Sequence, residues 1–305
     1  MIGPETELPA ASFVLSLFSR IVHLTSRARI EPVAPILADA SSLRLCLGLL
    51  CSGIRTEPPR EGPTVTEPIA ISDETIAHLK NASTATISTQ LFQRGLRNVF
   101  LNGLSPLNPG AARFVGEAVT LRSIPAREDL DRLDVFRDPN HPQRKAIETV
   151  GPGQVLVLDC RGDLRAANGG GILVTRAMKR GAAGIVSDGA LRDSPEIASL
   201  DFPVFAASKS AALSLSVHHA VDINVPIGCA GVPVYPGDIL VGDEEGVVVI
   251  PRHLAAEIAK PAADQENMEI FILEKIQGGA ALPGTYPPSE AVLAEYKAWR
   301  AARGE

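Results

Sequence analysis

Between residues 153 and 206 the chain switches repeatedly between two hydrophobic periods, and that alternation restricts it to folds that interleave strands with helices. "GQVLVLDC" (153–160) has the length and apolar content of a buried strand. "GILVTRAMKRG" (171–181) carries apolar residues at helical spacing and closes on Lys179, Arg180 and Gly181, a basic last turn followed by a terminating glycine. "AGIVSDG" (183–189) reads as a strand again, "SPEIASL" (194–200) as a short helix and "FPVFA" (202–206) as a short strand. Upstream, "RFVGEAVTLRSIP" (113–125) is one long strand or a strand pair. Downstream, residues 221–251 form a series of β segments punctuated by Gly and Pro. Helical stretches follow His253 and Ser289, and Pro261 should kink or break the first of them. The segments indicate an α/β sandwich or barrel-like core without fixing its topology.

The patterned region begins near Ile69, where Ser72 is placed to cap the first of two helices that end at Gly95. Residues 1–66 differ in character. They hold two short apolar stretches (12–24 and 43–54) and the Pro-, Glu- and Arg-rich "RTEPPREGPTVTEP", which reads as a linker. Both stretches are shorter than the roughly 20 residues of a membrane span. Glu5 and Glu7 precede the first where a signal peptide would be basic. The expected organisation is therefore a poorly ordered extension and linker over 1–66, and one domain over 67–305. Because no Met follows Met1 until Met178, an alternative start would need a codon such as GTG, with Val65 a candidate.

A formal charge of −6 and scattered Lys and Arg exclude a general binder of nucleic acid or anionic membrane, whose surface must be basic. Cys46, Cys51, Cys160 and Cys229 form no CxxC pair, so neither a zinc site nor a disulfide framework follows, and a cytoplasmic setting is expected. The chain has no GxSxG, HExxH or Walker A pattern. "GGGILV" (169–174) departs from the dinucleotide fingerprint, because its third glycine position is Val174. The adjacent His218 and His219 would point to opposite faces of a strand, in structural roles, and Cys160 reads as a small core residue.

One constellation remains, spread over "LDCRGDLRAANGGGILVTRAMKRGAAGIVSDGALRD". A glycine-rich loop that opens a helix presents free backbone N–H groups at the positive end of the helix dipole, a seat for a carboxylate. Arg192 offers a planar fork for a carboxylate or enolate oxygen, and Asp193 a hard oxygen ligand of the kind that holds Mg²⁺. The alternative is a polar turn with a helix cap. Asp193 with Glu196 three residues on imitates a capping box, and Pro195 suits a first helical turn.

The segments "GDLRAANGGGILVTRAMKRGAAGIVSDGALRD" (162–193) and "VPVYPGDILVGDEEGVVVIP" (232–251) resemble the RraA-like family, which contains the regulator of ribonuclease E activity A and the class II 4-hydroxy-4-methyl-2-oxoglutarate aldolases. "NVFLNGLSPLNPGAARFVGEAVTLRSIPAREDLD" (98–131) and "RDPNHPQRKAIE" (137–148) are similar to a subgroup with an extended N-terminal part. The resemblance implies a compact α/β/β/α-type sandwich, swivelling-domain-like, assembled as a homotrimer or hexamer with sites between subunits. It implies that Arg192 binds the pyruvyl moiety, that Asp193 anchors a divalent metal (Mg²⁺, with Mn²⁺ the alternative), and that the backbone amides of Ile172 and Leu173 hold the substrate carboxylate in a loop shaped by Gly170 and Gly171. Glu266 and Glu269 are candidates for a glutamate reaching the site from a neighbouring subunit.

The implied activity is metal-dependent cleavage of a 4-hydroxy-2-oxo acid to pyruvate and a carbonyl compound through a pyruvate enolate, with oxaloacetate decarboxylation as a side activity. The ribonuclease regulator lacks the aspartate after its arginine, whereas this chain keeps Asp193. A non-catalytic regulator that binds a ribonuclease and a hydratase or dehydratase of sugar-acid-derived 2-oxo acids are the alternatives. The far end of the substrate is open: Arg161 and Arg165 could meet a second carboxylate, Asp163 and Asn168 a polyol chain, or "RGDLR" could be a salt-bridged turn. The general base is also open.

Overall fold

The computed structural model describes residues 70–304. The expected extension over 1–66, its apolar stretches, Cys46, Cys51 and the alternative start at Val65 lie outside the described residues.

Two helices open the described chain, α1 (Asp73–Lys80) and α2 (Thr84–Gln93). Ser72 and Ser83 cap them, each accepting a hydrogen bond from the amide three residues on. After the two-residue β1 (Ser105–Pro106) comes β2 (Phe114–Pro125), a single strand of 12 residues. Next are α3 (Pro142–Thr149), β3 (Gln154–Asp159), α4 (Gly171–Lys179), β4 (Gly184–Leu191), α5 (Ser194–Ala198) and β5 (Val204–Lys209). The Gly/Pro-punctuated region resolves into β6 (His218–Ile223), β7 (Ile227–Cys229), β8 (Val232–Val234), β9 (Ile239–Asp243) and β10 (Gly246–Ile250). The chain closes with α6 (Ala255–Gln277) and α7 (Glu290–Arg303). None of the described helices is long and apolar enough to cross a membrane.

The sheet is mixed, in the order β1-β5-β4-β3-β2-β9-β10, with β2 to β5 parallel. Because β2 is long, it changes partner along one edge, pairing with β9 over Phe114–Glu117 and with β6 over Leu121–Pro125. Alternation along β3 shows how the sheet is used. Leu156 and Leu158 face Ile147 of α3, Val174 of α4 and Ile197 of α5. Val155 and Val157 face the other way, into a core shared with Leu240 of β9, Val247 and Val249 of β10, and the β7–β8 hairpin. Ile239, Val241, Val248 and Ile250, on the opposite face of β9 and β10, pack against α1, α2 and α6. Helices thus cover the outer faces of two sheet halves whose inner faces meet, which is the expected α/β/β/α arrangement.

Pro261 does not break its helix. α6 runs unbroken for 23 residues with Pro261 inside it. Proline removes one hydrogen bond there, but Ala255, Ile258, Ala259, Ala262 and Ala263 are buried on both sides of it. The packing of that face outweighs the local preference.

Candidate active site

The strand β4 and the helix α4 converge at their functional ends. Gly170 is the extended N-cap residue of α4 (φ −147°), and the first intrahelical bond of the turn is donated by Val174 N to Gly170 O. The amides of Gly171, Ile172 and Leu173 therefore precede the helix's own hydrogen bonds. Past the end of β4, Arg192 is fixed by its backbone, Arg192 N donating to Gly169 O at 3.0 Å. Asp193 follows in the left-handed region at φ 57°, a conformation that Asp tolerates better than most residues.

That turn settles the capping question raised by the sequence. Asp193 occupies the N-cap position of α5 but makes no side-chain capping bond to it. Its carboxylate instead points back to α4, where Oδ2 accepts from Gly171 N at 3.0 Å. Arg192 Nε lies 3.5 Å from the same oxygen, and both side chains stay partly open to solvent. The glycines are needed for this approach. A Cβ on Gly170 would stand 2.4 Å from Asp193 Oδ2 and 2.9 Å from Arg192 Cγ, and one on Gly171 would stand 2.9 Å from Glu196 Oε2.

Gly170, Ile172, Leu173, Arg192 and Asp193 line one cavity of about 180 Å³. Gly171 is not among the lining residues, but its amide bonds to Asp193, which is. Part of the lining was not named as site residues by sequence reasoning. It comes from Phe136, on a 3-10 turn (Leu133–Arg137), and from Gln143 and Arg144 at the start of α3. The Arg144 guanidinium lies 4.3 Å from the centre of the Phe136 ring. Burial, reinforced by the nearby charge of Arg192, holds the Arg144 pKa below its ordinary value. Gln143 donates through Nε2 to Asn168 O at 2.7 Å, tying α3 to the loop that leads into α4.

The remaining candidates make the following contacts within the chain. "RGDLR" is a salt-bridged turn: Arg165 forks onto Asp163, holding that carboxyl below the usual range, and Arg161 donates to Val217 O. Asn168 is buried and donates to Cys160 Sγ at 3.3 Å. His218 and His219 do face opposite ways. The buried His218 contacts Ala166 O through Nε2, whereas His219 Nδ1 meets Asp131 Oδ1 at 2.6 Å. Burial pushes the Cys160 thiol up to about 12, consistent with a core residue. Glu266 accepts from Ser83 N and Oγ at the start of α2, and Glu269 accepts from Gln265 Nε2. Neither glutamate lines the cavity that holds Arg192 and Asp193.

The donor set suits a hard cation that keeps most of its shell as water and substrate. No group of three or more His, Cys, Asp or Glu side chains among the described residues could cage a metal. Asp193 supplies one accessible carboxylate oxygen besides the one bonded to Gly171, and the Glu196 carboxylate approaches the same turn. These residues fit Mg²⁺, which is commonly held by one or two carboxylates and its ligand.

A family model described as "RraA-like: Aldolase/RraA" matches residues 84–249. A protein of Halalkalibacterium halodurans provisionally named as a 4-hydroxy-4-methyl-2-oxoglutarate aldolase is 39% identical over 205 residues, 66% of this chain and 90% of that protein. A 4-hydroxy-4-methyl-2-oxoglutarate aldolase of Thermus thermophilus is 37% identical over 143 residues, 47% of this chain and 79% of its own. Among solved structures, Streptomyces coelicolor RraAS2, described as an unusual member of the RNase ES inhibitor RraA protein family, superposes with a TM-score of 0.58 at 32% identity. That match covers 66% of this chain and 96% of the other.

Proposed function

Because the chain belongs to the RraA-like, Aldolase/RraA family, we propose that its Arg192–Asp193 site cleaves a 4-hydroxy-2-oxo acid to pyruvate and a carbonyl compound. The observation that carries this reading is the convergence of Arg192, Asp193 and the first turn of α4 on one cavity. A guanidinium, a carboxylate and unpaired amides in a single pocket are what an enolate-forming site requires.

Each group of the chain has a task in that reaction. The Ile172 and Leu173 amides, at the positive end of α4, receive the C1 carboxylate of the substrate. Loss of the C4 hydroxyl proton lets the C3–C4 bond break. A carbonyl forms at C4, and the electron pair moves into a C2–C3 enolate. Negative charge gathers on the C2 oxygen, where the Arg192 fork stabilises it. Protonation at C3 completes pyruvate. Asp193 would hold a divalent cation, which supplies Lewis-acid polarisation of the 2-oxo acid. Loss of CO₂ from oxaloacetate leaves the same enolate, so decarboxylation is the expected side activity.

Exposed apolar side chains at the rim support assembly into the trimer or hexamer that goes with this reading. Ile172 is 83% exposed and Leu213 38%, a surface that a second copy would cover. Glu266 and Glu269 would enter the site only across such a boundary.

The test is pyruvate release from 4-hydroxy-4-methyl-2-oxoglutarate and from oxaloacetate, with Mg²⁺ or with EDTA. Metal-dependent pyruvate from either is the expected result, and none from either in a folded protein would refute the reading. The kinship of the Streptomyces protein with ribonuclease inhibitors favours a second reading, a non-catalytic regulator that binds a ribonuclease. It predicts no pyruvate and capture of a ribonuclease in the presence of EDTA.

A further inference from the structure

The cavity that holds Arg192 carries a second cation, which the cleavage chemistry above leaves without a task. Arg144 is half-buried, lines the same cavity as Arg192, and rests on the Phe136 ring. No carboxylate among the described residues pairs with it, whereas Arg192 has Asp193 beside it. Two guanidinium groups therefore face one cavity that contains a single carboxylate. Two like charges converging on a half-buried space repel one another, and an anionic ligand between them relieves that cost.

The neighbouring residue adds a polar feature. Gln143 is 4% exposed, and its Oε1 is buried with no hydrogen-bond partner among the described residues. A buried acceptor left unsatisfied costs free energy that a ligand hydroxyl or water would recover. The first turn of α3 thus places a cation on the cavity, next to a buried acceptor that lacks a partner. The cation–π contact with the Phe136 ring restrains the guanidinium, which lowers the cost of ordering it.

We propose that Arg144, positioned by Phe136, is the specificity-determining residue for the leaving fragment, selecting 4-hydroxy-2-oxo acids that carry a second carboxylate at C4. This rests on the aldolase reading of the site. After C3–C4 cleavage that carboxylate departs with the carbonyl fragment, so the product released beside pyruvate is itself a 2-oxo acid. Arg144 touches the substrate but takes no part in enolate formation. Its loss should therefore appear in KM rather than kcat.

The test compares the full-length protein with its Arg144→Gln and Arg144→Lys variants, with Mg²⁺, on two substrates. One is 4-hydroxy-4-methyl-2-oxoglutarate, and the other is 4-hydroxy-2-oxopentanoate, which lacks the C4 carboxylate. The proposal predicts that Arg144→Gln raises KM for the diacid roughly 10–100-fold, the worth of one hydrogen-bonded charge. It predicts kcat within about threefold and monoacid kinetics unchanged within the same margin. Arg144→Lys should recover part of the loss, because it restores charge without the fork. Equal losses on both substrates, or no loss on the diacid, would overturn it.

If the wild type releases pyruvate from neither substrate, the aldolase reading fails and calorimetry decides the proposal separately. Tighter binding of 2-oxoglutarate than of 2-oxopentanoate, lost in Arg144→Gln, would sustain Arg144 as the reader of a second carboxylate. No such preference, or one that survives Arg144→Gln, would overturn it.

Discussion

The carboxylate of Asp193 reaches across from the end of β4 to the first amide of α4, with Oδ2 3.0 Å from Gly171 N. This bond locks the two halves of the candidate site together, and it needs only an oxygen acceptor. Asp193→Asn keeps that acceptor and removes the charge, whereas Asp193→Ala removes both. Asp193→Ala should therefore destabilise the protein by about 1–2 kcal/mol, and Asp193→Asn by less than about half of that. Urea unfolding of the two variants distinguishes them. Equal losses would mean that the bond contributes nothing.

Gly170→Ala should uncouple activity from stability. The added methyl would meet Asp193 Oδ2 at 2.4 Å and Arg192 Cγ at 2.9 Å, and both belong to flexible, partly exposed side chains that can move aside. Displacing them should cut pyruvate release by roughly 100-fold. Stability should change by less than about 2 kcal/mol. Steady-state kinetics and thermal unfolding of the one variant provide the check, and full activity would show that the loop tolerates a side chain.

His218 should make the fold acid-sensitive. Its pKa is lowered from 6.5, chiefly by burial. Below 6.5 the unfolded chain takes up a proton at this ring that the folded chain does not, so stability falls as pH drops from 6.5 toward the lowered folded value. His141 is shifted in the same direction by burial and by Arg144, and it adds to the slope. His218→Gln can still donate to Ala166 O, and its urea midpoint should vary less than that of the wild type between about pH 8 and about pH 5. Parallel profiles would show that His218 does not titrate on unfolding.

Cys160 should be inert in the native protein. A thiol pKa pushed up to about 12 leaves roughly 1000-fold less thiolate than an ordinary cysteine, and the side chain is fully buried. Peptide mapping after brief alkylation should find Cys160 unmodified in the folded protein and modified in denaturant. Prompt native labelling would contradict its burial.

The fold was legible where local pattern and tertiary context agree. The alternation between residues 153 and 206 maps onto β3, α4, β4, α5 and β5, and Ser72 caps α1 as its position suggests. The break expected at Pro261 does not occur because helix propensity is local, while the buried alanines and Ile258 that flank it gain their stability from distant elements. Within the site, the glycine loop and the Arg192–Asp193 pair announced themselves by composition. Two features did not. The left-handed turn at Asp193 sends its carboxylate to α4 instead of α5, and a capping-box spacing cannot reveal that direction. Phe136, Gln143 and Arg144 lie well upstream of the loop and reach the cavity only because β3 lies parallel beside β2 and carries α3 with it. "RDPNHPQRKAIE" was visible as a block, but nothing in its spacing said that one arginine would face another.

The most direct test of the account is a Mg²⁺ titration of pyruvate release from 4-hydroxy-4-methyl-2-oxoglutarate by the wild type and by Asp193→Asn. The wild type should show saturable activation that EDTA abolishes and Mg²⁺ restores, and Asp193→Asn should remain roughly 100-fold or more below it at every metal concentration. Pyruvate release that ignores the metal, or an Asp193→Asn variant indistinguishable from the wild type, would contradict it.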